Sequence, residues 1–325
     1  VKNSGNNFVF SYTVKFSSKE TQILDYRTQQ YRILPHAARA LVFLFAAEEI
    51  KNLYQKGIEQ CRLACGGHGY SHASGLPEIY AFAVGGCTYE GENIVLLLQV
   101  ARFLMKTVEQ ICSGSARLAK IMEYLVEPRR LKSSFRTWQT LSPHELMQDF
   151  EQAARNQIFS TYDYLQQLKR ASGSAEVAWN SASVELCRAS RLHVKCYLAQ
   201  SYFERIARCR EADCARILEL LGELYMLFEI SSHSNSFRKV NYQLSLFAER
   251  GVYEIMECLR PEAVALVDSF DFSDRELHSV LGRRDGNVYA AMLEWAKHSK
   301  LNKTEVIATF EKYLGPMMEE GRSKI

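Results

Sequence analysis

The chain has 325 residues, 47% of them hydrophobic and 24% charged, with a formal net charge of +3 at pH 7. That length accommodates two ordinary domains with their own cores, and the small net charge excludes the strong basic footprint of a nucleic-acid binder. No apolar run reaches the roughly 20 residues that span a bilayer. Only 17 Gly and 6 Pro interrupt the chain, so a soluble, mostly helical protein is expected.

In chain order, residues 1–19 have neither signal-peptide nor transit-peptide composition, and FVFSYTVKF (8–16) alternates weakly like a strand without a partner strand downstream. From Glu20 the pattern turns helical. ILPHAARALVFLFAAEEIKNLYQKG (33–57) is apolar on most sides, as a helix buried among others would be. IEQCRLACGGHGY (58–70) opens as a helix and breaks at Gly66-Gly67, and SHASGLPEIY (71–80) reads as a loop. A helix over 92–107 follows, with Ile94, Leu97, Leu98, Ala101 and Leu104 on one apolar face.

EPRRLKSSFRTWQTLSP (127–143) is polar, basic and flanked by breakers, and reads as a linker. Beyond it, 144–170, 175–207, 212–230 and 239–260 are long helices, 261–299 holds short helices joined by Asp/Ser/Gly turns, and a last helix runs from Lys303 to Met318. The expected fold class is all-α, two helical bundles in tandem (20–126 and 144–325). The nine cysteines are odd in number and mostly inside apolar helical patterns, which suits buried thiols in a reducing compartment better than a disulfide framework.

Three stretches could carry chemistry. CTYEGEN (87–93) puts Glu90 and Glu92 ahead of a helix, where exposed amides favour carboxylates by about 0.3–1 kcal/mol each. On residue types alone a capping role is the default. A general base would need desolvation to raise its pKa toward working pH, and Gly91 would let a ligand approach the backbone. GGHGY (66–70) has closely spaced glycines that could admit a phosphate, but it does not sit between a strand and a helix as a dinucleotide fingerprint must. Cys61, Cys65 and His68 lack an evident fourth ligand, so no metal site is expected. The chain closes on Ser323-Lys324-Ile325, one branched aliphatic away from the Ser-Lys-Leu peroxisomal address.

Together, ETQILDYRTQQYRILP (20–35), CRLACGGHGYSHASGLPEIY (61–80), the CTYEGEN helix, EVAWNSASVELCRAS (176–190) and the region 260–306 resemble the C-terminal half of peroxisomal acyl-CoA oxidases. The resemblance runs from Glu20 to Ile325. It implies an FAD enzyme that desaturates acyl-CoA between Cα and Cβ and passes the electrons to O2, the first step of peroxisomal fatty acid β-oxidation. It implies that Glu90 removes the α-proton while hydride leaves Cβ for the flavin, and that Gly91 keeps the backbone close to the thioester. It further implies that Gly66 and Gly67 approach the flavin pyrophosphate from a neighbouring subunit of a homodimer, that Gln29 and Gln30 lie near that surface, and that the tail engages a peroxisomal import receptor.

The sequence also departs from the family pattern. The family carries a helical domain and a β-domain ahead of this region, which hold most of the flavin and acyl-CoA. Residues 1–19 do not resemble the helix expected before the Gln-rich segment, and a few tens of residues are short between the positions of Phe45 and Ile58. The expectation is therefore a C-terminal portion with little activity by itself. The alternative is an inactive oxidase-like paralogue serving as a dimerisation module.

Overall fold

The computed structural model describes residues 25–26, 28–35, 50–85, 92–116, 118–127, 142–237, 240 and 244–324. Among the described residues there is no strand, in agreement with the all-α class. A helix over 28–35 (α1) precedes Ile50–Ala64 (α2), Gly67–Tyr70 (α3), Leu76–Gly85 (α4) and Asn93–Cys112 (α5). The second half holds Pro143–Ser172 (α6), Ala175–Ser181 (α7), Ser183–Ile206 (α8), Ala212–Ser232 (α9), Ser234–Phe237 (α10) and Leu244–Leu259 (α11). Shorter helices close the chain: Ala263–Asp268 (α12), Asp274–Leu277 (α13), Val288–His298 (α14) and Gly315–Arg322 (α15).

Helix α6 shows why the long helices form. Ser142 caps it, accepting from the Glu145 amide at 3.2 Å, while the Glu145 carboxylate accepts from the Ser142 amide at 3.4 Å. Pro143 occupies the first turn, where its missing N–H costs nothing. At the other end Gly173, with φ of 65°, takes the left-handed conformation that stops a helix. The face between these stops buries Leu146, Phe150, Ala153, Ala154, Ile158 and Leu165.

Helices α5, α6, α8, α9 and α11 make the principal packing pairs, and one buried cluster extends from Leu34 through these helices to Ala263. Helices α8 and α9 meet where a Cβ on Gly222 would come within 2.6 Å of the Phe203 ring and 2.8 Å of the Tyr202 ring. Glycine is needed there for the helices to close. Residues 128–141 of the expected linker lie outside the described residues, and Pro143 already belongs to α6.

Helices α2 to α4 pack chiefly on one another. A distant segment meets them, because Val280 donates its amide to the Ala73 carbonyl at 2.9 Å. Three local readings are corrected here. The expected loop 71–80 gives way to helix α4 from Leu76, since Pro77 falls in the first turn, where proline is tolerated. Ile94, placed on the buried face of α5, is 49% exposed, whereas Leu97, Ala101 and Leu104 are buried. The helical turns leading into α15 start at 308 rather than 303, and before them the Thr304 hydroxyl turns onto the Val306 carbonyl at 2.7 Å. The weak strand pattern at 8–16 falls outside the described residues.

Candidate functional site

The region of interest is the mouth of α5. Glu90 and Gly91 lie outside the described residues, and the description resumes at Glu92. The Glu92 carboxylate accepts from the Ile94 amide at 2.9 Å and the Val95 amide at 3.2 Å, making it the N-cap of α5. Of the two glutamates considered for the capping role, Glu92 performs it. Three consecutive apolar side chains of the first turns, Ile94, Val95 and Leu96, remain 49%, 52% and 46% exposed. The ordinary apolar stripe of a core-facing helix would bury more of them.

Behind this mouth α5 is fixed. The buried Ser190 hydroxyl of α8 lies 2.8 Å from the Leu97 carbonyl and 3.1 Å from the Leu186 carbonyl of its own helix. It therefore ties α8 to the second turn of α5. A second buried tie joins Tyr124, whose hydroxyl is 2.8 Å from His193 Nδ1. Burial holds the His193 imidazole down to about 4, and burial pushes the Tyr124 phenol well above its ordinary range. The pair is neutral across physiological pH. Neither tie was read from the sequence, because the partners are 93 and 69 residues apart and no local spacing announces them.

The Gly-Gly turn lies on the α2–α4 unit. Gly66 has φ of 58° and ψ of −137°, so it turns the chain sharply between α2 and α3. Gly67 is exposed, and a Cβ there would meet nothing within 4 Å. Gly69 serves packing instead, since a Cβ there would come within 2.0 Å of the Arg62 carbonyl oxygen. The motif therefore combines an open turn with one tight helix junction, and the sequence did not single out Gly69. Beside it, burial raises the thiols of Cys61 and Cys65, the latter to about 11. Of the eight described cysteines Cys187 and Cys196 are buried, while Cys112, Cys214 and Cys258 are exposed, so the expected burial of the thiols is only partial.

Gln29 and Gln30 occupy the start of α1, and their amides donate the first bonds of the helix to the Tyr26 carbonyl at 2.9 and 3.1 Å. Tyr31 anchors this helix to α9 and α11 through ring contacts with Phe228 and Tyr253, at 5.7 and 5.9 Å between centroids. Gln30 is buried, and among the described residues the buried Oε1 of Gln29 has no hydrogen-bond partner. A buried acceptor of this kind calls for a donor. No hydrogen bond joins the two glutamines to Gly66 or Gly67 among the described residues.

At the C-terminus, the Ser323 hydroxyl donates to the Glu320 carbonyl at 2.8 Å and Lys324 pairs with the Glu320 carboxylate at 2.6 Å. Helix α15 has no buried residue, and Ile325 lies outside the described residues. No described helix is long and apolar enough to cross a membrane.

Solved structures define the class to which this arrangement belongs. Acyl-CoA oxidase-2 of Caenorhabditis elegans, in a structure described as bound with FAD, ascaroside-CoA and ATP, matches with a TM-score of 0.88 and 35% identity. The match covers 96% of this chain and 52% of that one. Acyl-CoA oxidase 1 of Arabidopsis thaliana matches with a TM-score of 0.87 and 30% identity over 98% of this chain and 54% of that one. The helical architecture is that of the C-terminal half of these oxidases.

Sequence comparison reaches the family independently. The family profile "Acyl-CoA oxidase" matches residues 142–319, and the profile "Acyl-CoA oxidase, C-alpha1 domain" matches 10–57 and 54–105. The two C-alpha1 segments join close to the shortfall noted between Phe45 and Ile58. Acyl-coenzyme A oxidase acox-1.4 of Caenorhabditis elegans is 39% identical over 342 residues, covering 94% of this chain and 50% of that protein. Peroxisomal acyl-coenzyme A oxidase 1 of Mus musculus is 37% identical over 350 residues, covering 94% and 53%. The chain belongs to the acyl-CoA oxidase family. It spans about half the length of the curated relatives it matches.

Proposed function

We propose that this chain is the helical part of an FAD-dependent acyl-CoA oxidase and that Glu90 is its catalytic base. The observation that supports the assignment is Glu92: it caps α5, so the helix has no need of a second carboxylate for that role. In this reading Glu90 takes the α-proton of the bound thioester, and Gly91 keeps the backbone out of the way. The exposed Ile94, Val95 and Leu96 offer an apolar surface that would help to exclude water, raising the basicity of a nearby carboxylate. FAD, when bound, would accept the hydride from Cβ and pass the electrons to O2, giving a trans-2-enoyl-CoA and H2O2.

The residues present fit the cofactor. Open space around Gly67 leaves the backbone accessible to a pyrophosphate, Gly66 supplies the turn, and the unpaired Gln29 Oε1 can accept from a hydroxyl or N–H of the cofactor. In the same reading Gln30 lies near that cross-subunit surface. We place Gly66 and Gly67 against the cofactor of a second subunit in a homodimer. The exposed Phe82, Ile79 and Tyr70 of the α2–α4 unit, at 77%, 46% and 81%, support a covered surface there. The division into 20–126, 127–143 and 144–325 follows the same scheme, with acyl-CoA and flavin shared with domains of the kind that precede this region in the family.

The direct experiment joins residues 1–325 to the N-terminal half of a relative and supplies FAD and acyl-CoA. The joined protein is expected to form peroxide, and Glu90→Gln to lower the rate by about 100-fold or more with the flavin spectrum retained. Undiminished turnover in Glu90→Gln would remove the base, and an inert, flavin-loaded wild-type fusion would remove the oxidase reading. Residues 1–325 alone are expected to form little peroxide. Peroxisomal localisation is proposed from the relatives' names and the tail. Deleting 323–325 should leave a fluorescent fusion in the cytosol; unchanged peroxisomal import would overturn the role of the tail.

A further inference from the structure

A concavity lies between α5, α6 and α7. It has a volume of about 310 Å3, at the small end of ligand pockets, and Arg102, Lys106 and Lys169 converge on it. None of these three cations has an ion-pair partner among the described residues. Like charges gathered in one groove repel each other, and an anion relieves that repulsion more strongly than dispersed counterions do. Arg102 is held in place by the Trp179 ring, with its guanidinium 5.7 Å from the ring centroid. A positioned guanidinium with two flexible ammonium groups is a donor set suited to phosphate oxygens.

The remaining lining narrows the chemistry. Glu109 contributes one carboxylate, and Gln166 an amide that can donate and accept. A bare anion gains nothing from Glu109 and is repelled by it. A ligand that also presents hydroxyl donors can satisfy both groups at once. Tyr162 and Trp179 supply flat apolar walls on which a sugar ring could lie. We infer that this groove binds a small phosphate monoester bearing hydroxyl groups, the chemistry shared by sugar phosphates and nucleoside monophosphates. The volume admits a molecule of that size. The inference is independent of the oxidase reading.

The test titrates the full chain with ribose 5-phosphate, AMP, inorganic phosphate and sulfate by calorimetry. Ribose 5-phosphate and AMP are expected to bind saturably, at least tenfold tighter than phosphate or sulfate, and less tightly as salt rises. AMP tighter than ribose 5-phosphate would identify a nucleotide, and equal affinities a sugar phosphate. Arg102→Gln and Lys169→Gln should each weaken binding tenfold or more, and Lys106→Gln, at an exposed position, tests the charge without disturbing Trp179. Glu109→Gln should weaken ribose 5-phosphate while strengthening inorganic phosphate, an inversion that nonspecific charge attraction cannot produce. Binding of phosphate or sulfate as tight as that of ribose 5-phosphate would overturn the proposal, as would affinity indifferent to Lys106→Gln and Lys169→Gln.

Discussion

At the scale of single residues, Gly67 and Gly69 separate open space, where ligand approach is proposed, from tight packing within one five-residue motif. A methyl group at Gly69 would sit 2.0 Å from the Arg62 carbonyl oxygen and 2.9 Å from its carbon, and backbone cannot move aside as a side-chain tip can. Gly69→Ala should therefore destabilise the protein by about 1–3 kcal/mol, in the manner of an overpacked core. Gly67→Ala meets only open space and should leave the stability within about 0.5 kcal/mol of wild type. In the fusion with a relative's N-terminal half, the same methyl would project toward the proposed pyrophosphate and lower flavin retention. Urea melts and the flavin-to-protein absorbance ratio check the two halves of this statement. Gly67→Ala with full flavin retention would detach the Gly-Gly turn from the cofactor.

Among elements, the crossing of α8 and α9 is the tightest test of the bundle. Gly222 stands between Tyr202, whose hydroxyl donates to the Leu218 carbonyl at 2.9 Å, and Phe203, packed edge-on against Tyr202 at 5.7 Å. Gly222→Ala improves intrinsic helix propensity, yet its Cβ would need to displace a ring that is already fixed by that hydrogen bond. A net loss of about 1–3 kcal/mol is expected, seen as a lowered urea midpoint with unchanged helical signal; a gain in stability would show that the rings yield freely. The elements also mark the limit of what the sequence disclosed. Helices α5, α6, α9 and α11 were legible because their apolar spacing is sustained; Ser142 and Pro143, read as linker, are the cap and first turn of α6, and the single helix expected over 175–207 is divided at Ala182 into α7 and α8. Helix α4 was misread because Gly75 and Pro77 carry loop signals although proline suits a first turn. The burial of Ile94 was overestimated because a helical face says which side is apolar, not whether anything covers it. Of the proposed site, Glu90 and Gly91 rest on resemblance and lie outside the described residues, whereas the Ser190 and His193 ties depend on contacts between distant helices.

For the whole molecule, buried His193 and half-buried Glu223 pull the dependence of stability on pH in opposite directions. His193 titrates near 4 when folded against an ordinary 6.5, because burial disfavours the imidazolium, with Tyr124 hydrogen-bonded to it and Cys196 and Glu151 near that tyrosine. Between these values the unfolded chain binds more protons, so acidification from pH 6.5 to 4 removes stability, by about 3 kcal/mol when complete. Glu223 has the opposite effect. Its carboxyl is raised from 4.5 to about 7, first by desolvation and then by Glu219, so the folded chain binds the extra proton and acidification from pH 7 to 4.5 restores stability. Glu223 is partly exposed, and solvent screening makes its contribution the smaller of the two. The wild type should therefore show a shallow loss of stability across this window. Glu223→Gln removes the opposing slope and should steepen the acid loss. His193→Gln should invert it, leaving a protein that gains stability between pH 7 and 4.5. Urea melts at half-unit pH intervals measure all three slopes, and parallel curves would show that neither group is desolvated in the folded protein.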